Sequence, residues 1–220
     1  MPAYKRPVAA EKAKNPRRLP TQARAQQTIQ TLFKAAAQIL DREGEAALST
    51  NKVAAAAGFS IGTLYQYFPG KEALLKAMAE RGQQMVLQQL EAYLAEVEAS
   101  ALVLELPAQD IVRQALHILI EGFAMGKGLG RSLVRLWWMQ EQPHETASAV
   151  RQVADRLAIF FERIRHPDLQ APSAAALFVL TRSVIGTLRS ASLEKSPLLG
   201  SPALEDELVK MALALLERQR

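Results

Sequence analysis

Apolar side chains recur every three or four residues along most of this chain, which is the spacing of one face of an α-helix. Glycine or proline interrupts the pattern at intervals, and each interruption marks the end of a predicted helix. The nine predicted helices cover about 21–43, 50–57, 61–67, 71–98, 109–126, 130–140, 143–165, 172–192 and 203–219. No alternating apolar and polar run is long enough to predict a strand. The pattern therefore predicts an all-α fold.

The segment Ser49–Lys71 contains two short helices on either side of a glycine. Gly58 supplies the backbone freedom that a sharp corner between two helices needs. In the second helix an inward stripe is predicted from the i, i+3, i+4, i+7 spacing of Ile61, Leu64, Tyr65 and Phe68. The residues predicted to face outward are Ser60, Gly62, Thr63, Gln66 and Tyr67. Such small and polar groups can approach base edges and phosphates, so this segment is predicted to be a helix-turn-helix that enters a DNA major groove.

The same segment resembles the DNA-binding signature of the tetracycline-repressor-like (TetR) family. The family's usual order is a helix, a glycine, a turn, the motif G-T-L-Y-x-[HY]-F and then K-[ED]. Here Gly58, the run Gly62–Phe68 and Lys71-Glu72 match it, and the resemblance extends from Gln22 to about Met78. It implies a nine-helix architecture of two domains. The expected divisions are a basic arm at 1–20, a helix-turn-helix domain at 21–70 and a helical ligand-binding and dimerisation domain at 71–220.

The resemblance also implies which residues contact DNA. Thr63 is the best candidate for a base contact, through its hydroxyl or its methyl group. Gln66 could read adenine or contact the sugar-phosphate chain, and Ile61 could contact a thymine methyl or simply pack. The tyrosines and Lys71 are expected at phosphates. The full expected set is Arg17, Arg18, Thr50, Asn51, Ser60, Ile61, Gly62, Thr63, Tyr65, Gln66, Tyr67 and Lys71.

Positive charge is concentrated at the start of the chain. The net charge is +5, and residues 1–24 carry seven Lys or Arg against one Glu, so the remainder is close to neutral. Four prolines within the first 20 residues predict that this arm is disordered in isolation. It could be a solvated extension, or an arm that follows DNA phosphates or enters a minor groove. The second interpretation is favoured, with Arg17 and Arg18 as the main contributors.

The last two predicted helices offer a surface for pairing two copies of the chain. The stripe is mostly small on the first of these helices and apolar on the second; its members are Ala176, Val179, Ser183, Gly186, Ser190, Leu204, Leu208, Met211 and Leu215. Such a stripe permits close packing in a symmetric four-helix interface. An internal helical pair within one chain would give the same pattern. The TetR resemblance favours a homodimer, because family members pair through their last two long helices.

A ligand site is harder to place from the sequence. An apolar pocket between helices could be lined by Met125, Trp137, Trp138, Met139, Phe160 and Phe161, although each could equally be a core residue. Arg131 and Arg135 are one helical turn apart and could receive an anionic apolar effector, or could lie on a solvated face. The expected effector is an apolar small molecule.

Several kinds of site are not indicated by the sequence. There is no cysteine, and His117, His144 and His166 do not have the spacing of a zinc motif. The phosphate-binding loop and the nucleophile elbow of hydrolases are also missing. We therefore predict no metal, no cofactor and no enzymatic activity. The first residues lack the apolar core of a secretory signal and no apolar run reaches about 18 residues, so a cytoplasmic location without membrane contact is expected.

Taken together, these patterns predict a sequence-specific transcriptional regulator that binds double-stranded DNA. The most favoured form is a homodimeric repressor that a small-molecule effector releases from a palindromic operator. The family resemblance implies that the effector pivots the long helix that begins at Lys71. Two alternatives remain: an architectural DNA-binding protein without an effector, and a helical enzyme with an incidental helix-turn-helix.

Overall fold

The computed structural model describes residues 21–100, 105–124, 143–164 and 166–217. These residues form eight α-helices: α1 Thr21–Glu43, α2 Thr50–Ala56, α3 Ile61–Tyr67, α4 Lys71–Ala99, α5 Ala108–Ala124, α6 Pro143–Arg163, α7 Ala174–Leu193 and α8 Pro202–Leu216. The described ranges contain no strand beyond a single backbone bridge between Leu169 and Glu217. The predicted all-α fold is therefore confirmed. The ninth predicted helix, at 130–140, lies outside the described residues.

Serine caps set the starts of several helices. The Oγ atoms of Ser49, Ser60, Ser173 and Ser201 each accept a hydrogen bond from the backbone N–H three residues later. These bonds satisfy N–H groups that have no partner inside the helix. At the C-terminal end of α1, Gly44 adopts a φ of 81°, a conformation that favours glycine and ends the helix. Local signals of this kind explain why most predicted boundaries agree with the structure to within one or two residues.

The buried side chains form two hydrophobic clusters, and α4 contributes to both. The first cluster joins α1, α2 and α3 to the start of α4, and the second joins the rest of α4 to α5–α8. The buried residues of α4 are Leu74, Leu75 and Met78 in the first cluster, and Leu90, Leu94 and Val97 in the second. No α4 residue between Met78 and Leu90 is fully buried. One continuous helix thus connects two cores.

The second half of α4 is held by α5 and α6. Tyr93 donates a hydrogen bond of 3.2 Å to the carbonyl of Ile111 on α5, and partial burial raises the pKa of this phenol. Towards α6, Arg156 Nε lies 2.8 Å from Glu91 Oε1 and Arg163 Nη1 lies 3.5 Å from Glu98 Oε2. Both members of the second pair lie seven residues after those of the first, so α4 and α6 run parallel. These exposed pairs fix register more than they add stability.

Helices α5 and α8 are joined by a charged network at their surface. Arg113 Nη1 lies 2.7 Å from Asp206 Oδ1 and 3.4 Å from Glu205 Oε1, and the hydrogen bond with Asp206 raises the pKa of Arg113. The imidazole of His117 lies 3.0 Å from the second oxygen of Glu205. The first turn of α8 is thereby oriented against α5.

Helix α7 carries more apolar surface than the folded chain buries. It is the one helix in the described part of the chain that is long and apolar enough to span a membrane, with a mean hydropathy of 1.2, and 39% of it is buried. It packs against α5, α6 and α8, as a core helix does. Phe178 and Val179 nevertheless remain 59% and 50% exposed. The outer face of α7 is therefore an apolar surface.

Candidate nucleic-acid interface and apolar cavity

A tight glycine turn connects α2 to α3. The N–H of Gly58 donates to Ala55 O at 3.1 Å, and the N–H of Phe59 donates to Ala54 O at 2.9 Å. This pair of bonds is a Schellman ending, and Gly58 takes the left-handed conformation it requires, with a φ of 73°. Since α3 begins only three residues after Gly58, the turn fixes the direction in which α3 leaves. The predicted role of Gly58 is confirmed.

Ser60 makes two hydrogen bonds at the start of α3. Its Oγ accepts from the backbone N–H of Thr63 at 3.1 Å and lies 2.9 Å from Thr63 Oγ1. The first bond is an ordinary N-cap. The second engages the hydroxyl of the residue that the sequence singles out for base contact. This side-chain pair was not predicted from the sequence, although the S-x-x-T spacing of Ser60 and Thr63 is a signal for it.

The buried face of α3 is narrower than predicted. Leu64 and Phe68 are buried, but Ile61 is 36% exposed and Tyr65 is 51% exposed, so the predicted inward stripe is wrong for these two residues. Tyr65 lies about 100° around the helix from Leu64, whereas Tyr67 lies only about 60° away. Tyr67 accordingly packs against the first cluster, with its ring centroid 6.5 Å from that of Phe68. Leu64 is therefore the one buried residue within the seven residues of α3.

The exposed side of α3 continues onto the start of α2. Tyr65 Oη lies 3.4 Å from Thr50 Oγ1, which joins the two helices by a hydroxyl pair. Asn51 and Gln66 are exposed and Gly62 leaves the backbone of α3 open, while Thr50 and Thr63 are half-buried. Most of the expected DNA contacts on α2 and α3 therefore share one uncharged, hydroxyl-rich surface.

Two lysines border this surface, and both have partners inside the protein. Lys71 is half-buried and its ammonium donates to the carbonyl of Glu45 at 3.5 Å, which leaves further N–H groups available. Lys52 forms an ion pair with Glu43. Of the other expected contacts, Arg17 and Arg18 lie outside the described residues, together with the whole of the 1–20 arm.

Comparison with known sequences supports the predicted family. Residues 32–78 match the sequence model described as bacterial regulatory proteins of the tetR family. The matched range covers the turn at Gly58, all of α3 and the part of α4 that completes the first cluster. Residues 32–78 thus carry the helix-turn-helix domain of the tetR family. No curated protein matches the chain.

Solved TetR-type structures share the fold at low sequence identity. SmeT, the repressor of the Stenotrophomonas maltophilia multidrug efflux pump SmeDEF, aligns with a TM-score of 0.61 at 20% identity, over 89% of this chain and 93% of its own. SmeT has also been solved with triclosan. A TetR-family regulator from Streptomyces coelicolor aligns with a TM-score of 0.58 at 19% identity, over 86% of this chain and 96% of its own. FadR from Bacillus subtilis, solved with stearoyl-CoA, aligns with a TM-score of 0.56 at 15% identity, over 84% of this chain and 97% of its own.

An apolar cavity of about 50 Å³ lies inside the second cluster. It is lined by residues of α4–α8, among them Leu90, Leu94, Leu116, Phe160, Phe161 and Thr181. Phe160 and Phe161, both predicted to line a pocket, pack edge to face with ring centroids 5.2 Å apart. The other expected lining residues, Met125, Arg131, Arg135, Trp137, Trp138 and Met139, lie outside the described residues. Leu90, Leu94 and Thr181 were missed because the sequence shows only their helical periodicity.

The polar group at this cavity is already satisfied within α7. Thr181 donates its hydroxyl hydrogen to the carbonyl of Leu177 at 2.8 Å and accepts from Arg182 Nη1 at 3.0 Å. The volume exceeds the roughly 10–15 Å³ that one water needs, but a water also needs polar partners. Among the described residues the lining thus favours apolar carbon over charged or strongly polar groups.

The residues expected to pair two copies do not all lie at the surface. Val179 and Ser190 are exposed, and the half-buried members are Ala176, Ser183, Gly186, Leu204, Met211 and Leu215. Leu208 is only 4% exposed and contributes to the protomer's own core. Its place in a surface stripe is therefore corrected, because that side of α8 packs inward. Phe178 was not predicted, and its exposed ring lies 4.1 Å from the guanidinium carbon of Arg182.

His117 and His166 have partners other than a metal. His166 is buried; its Nε2 lies 2.8 Å from the carbonyl of Leu106, and its Nδ1 accepts from the N–H of Asp168 at 3.1 Å. These bonds join two loops of the C-terminal half. Within the described residues, no group of three potential ligands is arranged to hold a metal ion.

Proposed function

We propose that this protein is a sequence-specific transcriptional repressor that binds a palindromic operator as a homodimer and is released by an apolar effector. The observation that carries this proposal is the uncharged, hydroxyl-rich surface of α3 and the start of α2, which lies inside the TetR-family match at residues 32–78. The proposal assigns the protein a binding role in the cytoplasm and no chemical reaction.

The outer surface of α3 supports DNA recognition. Helix α3 carries no charged side chain, so it can approach base edges without repelling phosphates or being held away by bulk. Phosphate contacts are assigned to Thr50, Tyr65, Tyr67 and Lys71, and base contacts to Asn51, Thr63 and Gln66. The basic arm, including Arg17 and Arg18, adds affinity that does not depend on sequence.

The outer face of α7 supports pairing of two copies. A single helix-turn-helix covers too little DNA for tight specific binding, whereas a symmetric dimer places two recognition helices about 34–36 Å apart. Phe178 and Val179 are apolar and exposed on a helix that is long and apolar enough to span a membrane. A second copy of α7 and α8 would cover them.

The cavity supports control by an effector. Leu90 and Leu94 line it, and the same helix supplies Leu74, Leu75 and Met78 to the core beneath α3. A molecule that enlarges the cavity therefore pushes directly on the helix that holds the DNA-reading elements. It shifts the equilibrium only as far as its affinity differs between the DNA-bound and released states. SmeT and FadR, solved with triclosan and stearoyl-CoA, indicate that similar folds admit ligands with a large apolar part.

Footprinting on the DNA that flanks the protein's own coding region tests the proposal. We expect protection of one palindrome at moderate salt, with both half-sites protected over the same range of protein concentration. Broad coating of the fragment would instead support an architectural protein. An absence of preference for any flanking palindrome over random DNA would contradict the proposed function.

A further inference from the structure

The hydroxyl of Thr63 has a partner inside the protein. Ser60 Oγ lies 2.9 Å from Thr63 Oγ1 and also accepts the backbone N–H of Thr63 at 3.1 Å. Either hydroxyl could donate in the first bond, but in both arrangements the two oxygens hold each other. To reach a base, Thr63 Oγ1 would have to give up or share this bond. The methyl group of the same side chain has no such bond to lose.

The bond to Ser60 also fixes the direction of the methyl group. A threonine in a helix divides between two χ1 rotamers, because its hydroxyl can bond to the preceding turn. The Ser60 hydroxyl selects a rotamer in which Oγ1 points to the residue three positions earlier. The methyl group then takes one defined position on α3 instead of exchanging with the hydroxyl.

The start of α3 leaves room for a base beside the Thr63 methyl group. Gly62, the preceding residue, is exposed and has no side chain. Ile61 lies about 160° around α3 from Thr63, so it takes no part in this contact. Thymine is the base that carries a methyl group on its major-groove edge, at C5, and threonine methyl groups are suitable partners for it.

We propose that Thr63 recognises a thymine through contact between its methyl group and the thymine C5-methyl, and that Ser60 is the positioning residue that orients it. The inference rests on the proposed function and identifies the base that this part of α3 selects.

The test uses the full-length protein and replacement of single thymines by uracil. A duplex is first enriched from a random DNA library by the wild-type protein. Each thymine in it is then replaced in turn by deoxyuridine, which removes only the C5-methyl group. At one symmetric pair of positions we expect the wild type to lose about fourfold in affinity per half-site, as for burial of one methyl-sized group.

Paired variants separate the two parts of the Thr63 side chain. Thr63→Val loses the hydroxyl but keeps a methyl group, and the second branch holds χ1 in one strongly preferred helical rotamer, so this variant should retain the uracil penalty. Thr63→Ser keeps the hydroxyl and loses the methyl, so its penalty should vanish at that position only. Ser60→Gly keeps a tolerated N-cap but frees Thr63, so its penalty should fall below that of the wild type. Circular dichroism melting verifies that each variant is folded.

The outcomes distinguish the inference from the function on which it rests. If the wild type enriches no sequence, the proposed function fails and the inference fails with it. If a sequence is enriched but the uracil penalties are the same in Thr63→Ser as in the wild type, the methyl contact is overturned while the function stands. If Ser60→Gly loses as much affinity on replacement of thymine by deoxyuridine as the wild type does, Ser60 does not position Thr63.

Discussion

Val86 on α4 occupies the space beside Gly122 on α5, where an added Cβ atom would come within 2.5 Å of Val86 Cγ2. Real Cβ atoms do not approach other atoms so closely, and a β-branched valine cannot easily move aside. Glycine at this position therefore allows the two helices to lie as close as they do. The contact lies just before the α4 residues that line the cavity.

We expect Gly122→Ala to separate α4 from α5 and to destabilise the protein. The matched control is Gly82→Ala, because Gly82 likewise lies inside a helix, α4, but has no neighbour within 4 Å of its added Cβ. Gly82→Ala should be neutral or stabilising by up to about 1 kcal/mol. Gly122→Ala should unfold more easily than this control by about 1–3 kcal/mol in urea titrations. Equal urea midpoints for the two variants would show that Val86 can move aside without a loss of stability.

The stability of the α4–α5 contact should depend on pH in the alkaline range. Burial raises the pKa of Tyr93, so the unfolded chain loses this proton at a lower pH than the folded protein does. The stabilisation is fully present below about pH 10, the usual pKa of tyrosine, and is lost as the pH rises through the folded value. Tyr93→Phe should show a smaller loss of stability between neutral and alkaline pH.

Deletion of residues 1–20 should lower affinity for all DNA sequences alike. The segment carries six Lys or Arg side chains, and each phosphate contact that is lost should flatten the plot of log affinity against log salt by about 0.9. Fluorescence anisotropy on one selected and one random duplex measures both slopes. Replacement of Arg17 and Arg18 by alanine should give the largest share of the change. An unaltered slope would mean that the arm is a spacer.

Val179→Glu should weaken pairing of two copies. A carboxylate on the outer face of α7 would be buried without a partner in a symmetric interface, and the cost would arise in both subunits. We expect the dimer Kd to rise by about tenfold or more in sedimentation experiments. Met85→Glu is the control, since Met85 is also apolar and exposed but lies on α4. If both variants dimerise like the wild type, α7 is not the pairing surface.

Val184→Ile should fill part of the apolar cavity. Val184 is buried and lines it, and one added methylene is expected to stabilise the fold by up to about 1 kcal/mol. The same change should reduce the thermal shift caused by apolar ligands that stabilise the wild type. A stabilised variant with undiminished ligand response would place the effector site elsewhere.

Features with local causes were predictable from the sequence, and features with tertiary causes were not. Gly58, the serine caps and the start of α4 were predictable because each depends on neighbours along the chain. The exposure of Tyr65 and the inward position of Leu208 were not, since both depend on which side of a helix meets another helix. The cavity could be predicted only in part: Phe160 and Phe161 are conspicuous aromatic residues, whereas Leu90 and Thr181 resemble any other helical positions.

The sharing of α4 between two cores determines where the chain can be cut. A fragment that ends at residue 70 would lose Leu74, Leu75 and Met78, and the side chains beneath α3 would be left facing water. A fragment that keeps the whole of this cluster must therefore end inside a helix, after Met78, and not at the loop before α4. The two clusters also need no separate interface to be coupled. Each end of α4 is buried in one cluster, so a displacement of α4 in one cluster moves its other end in the second.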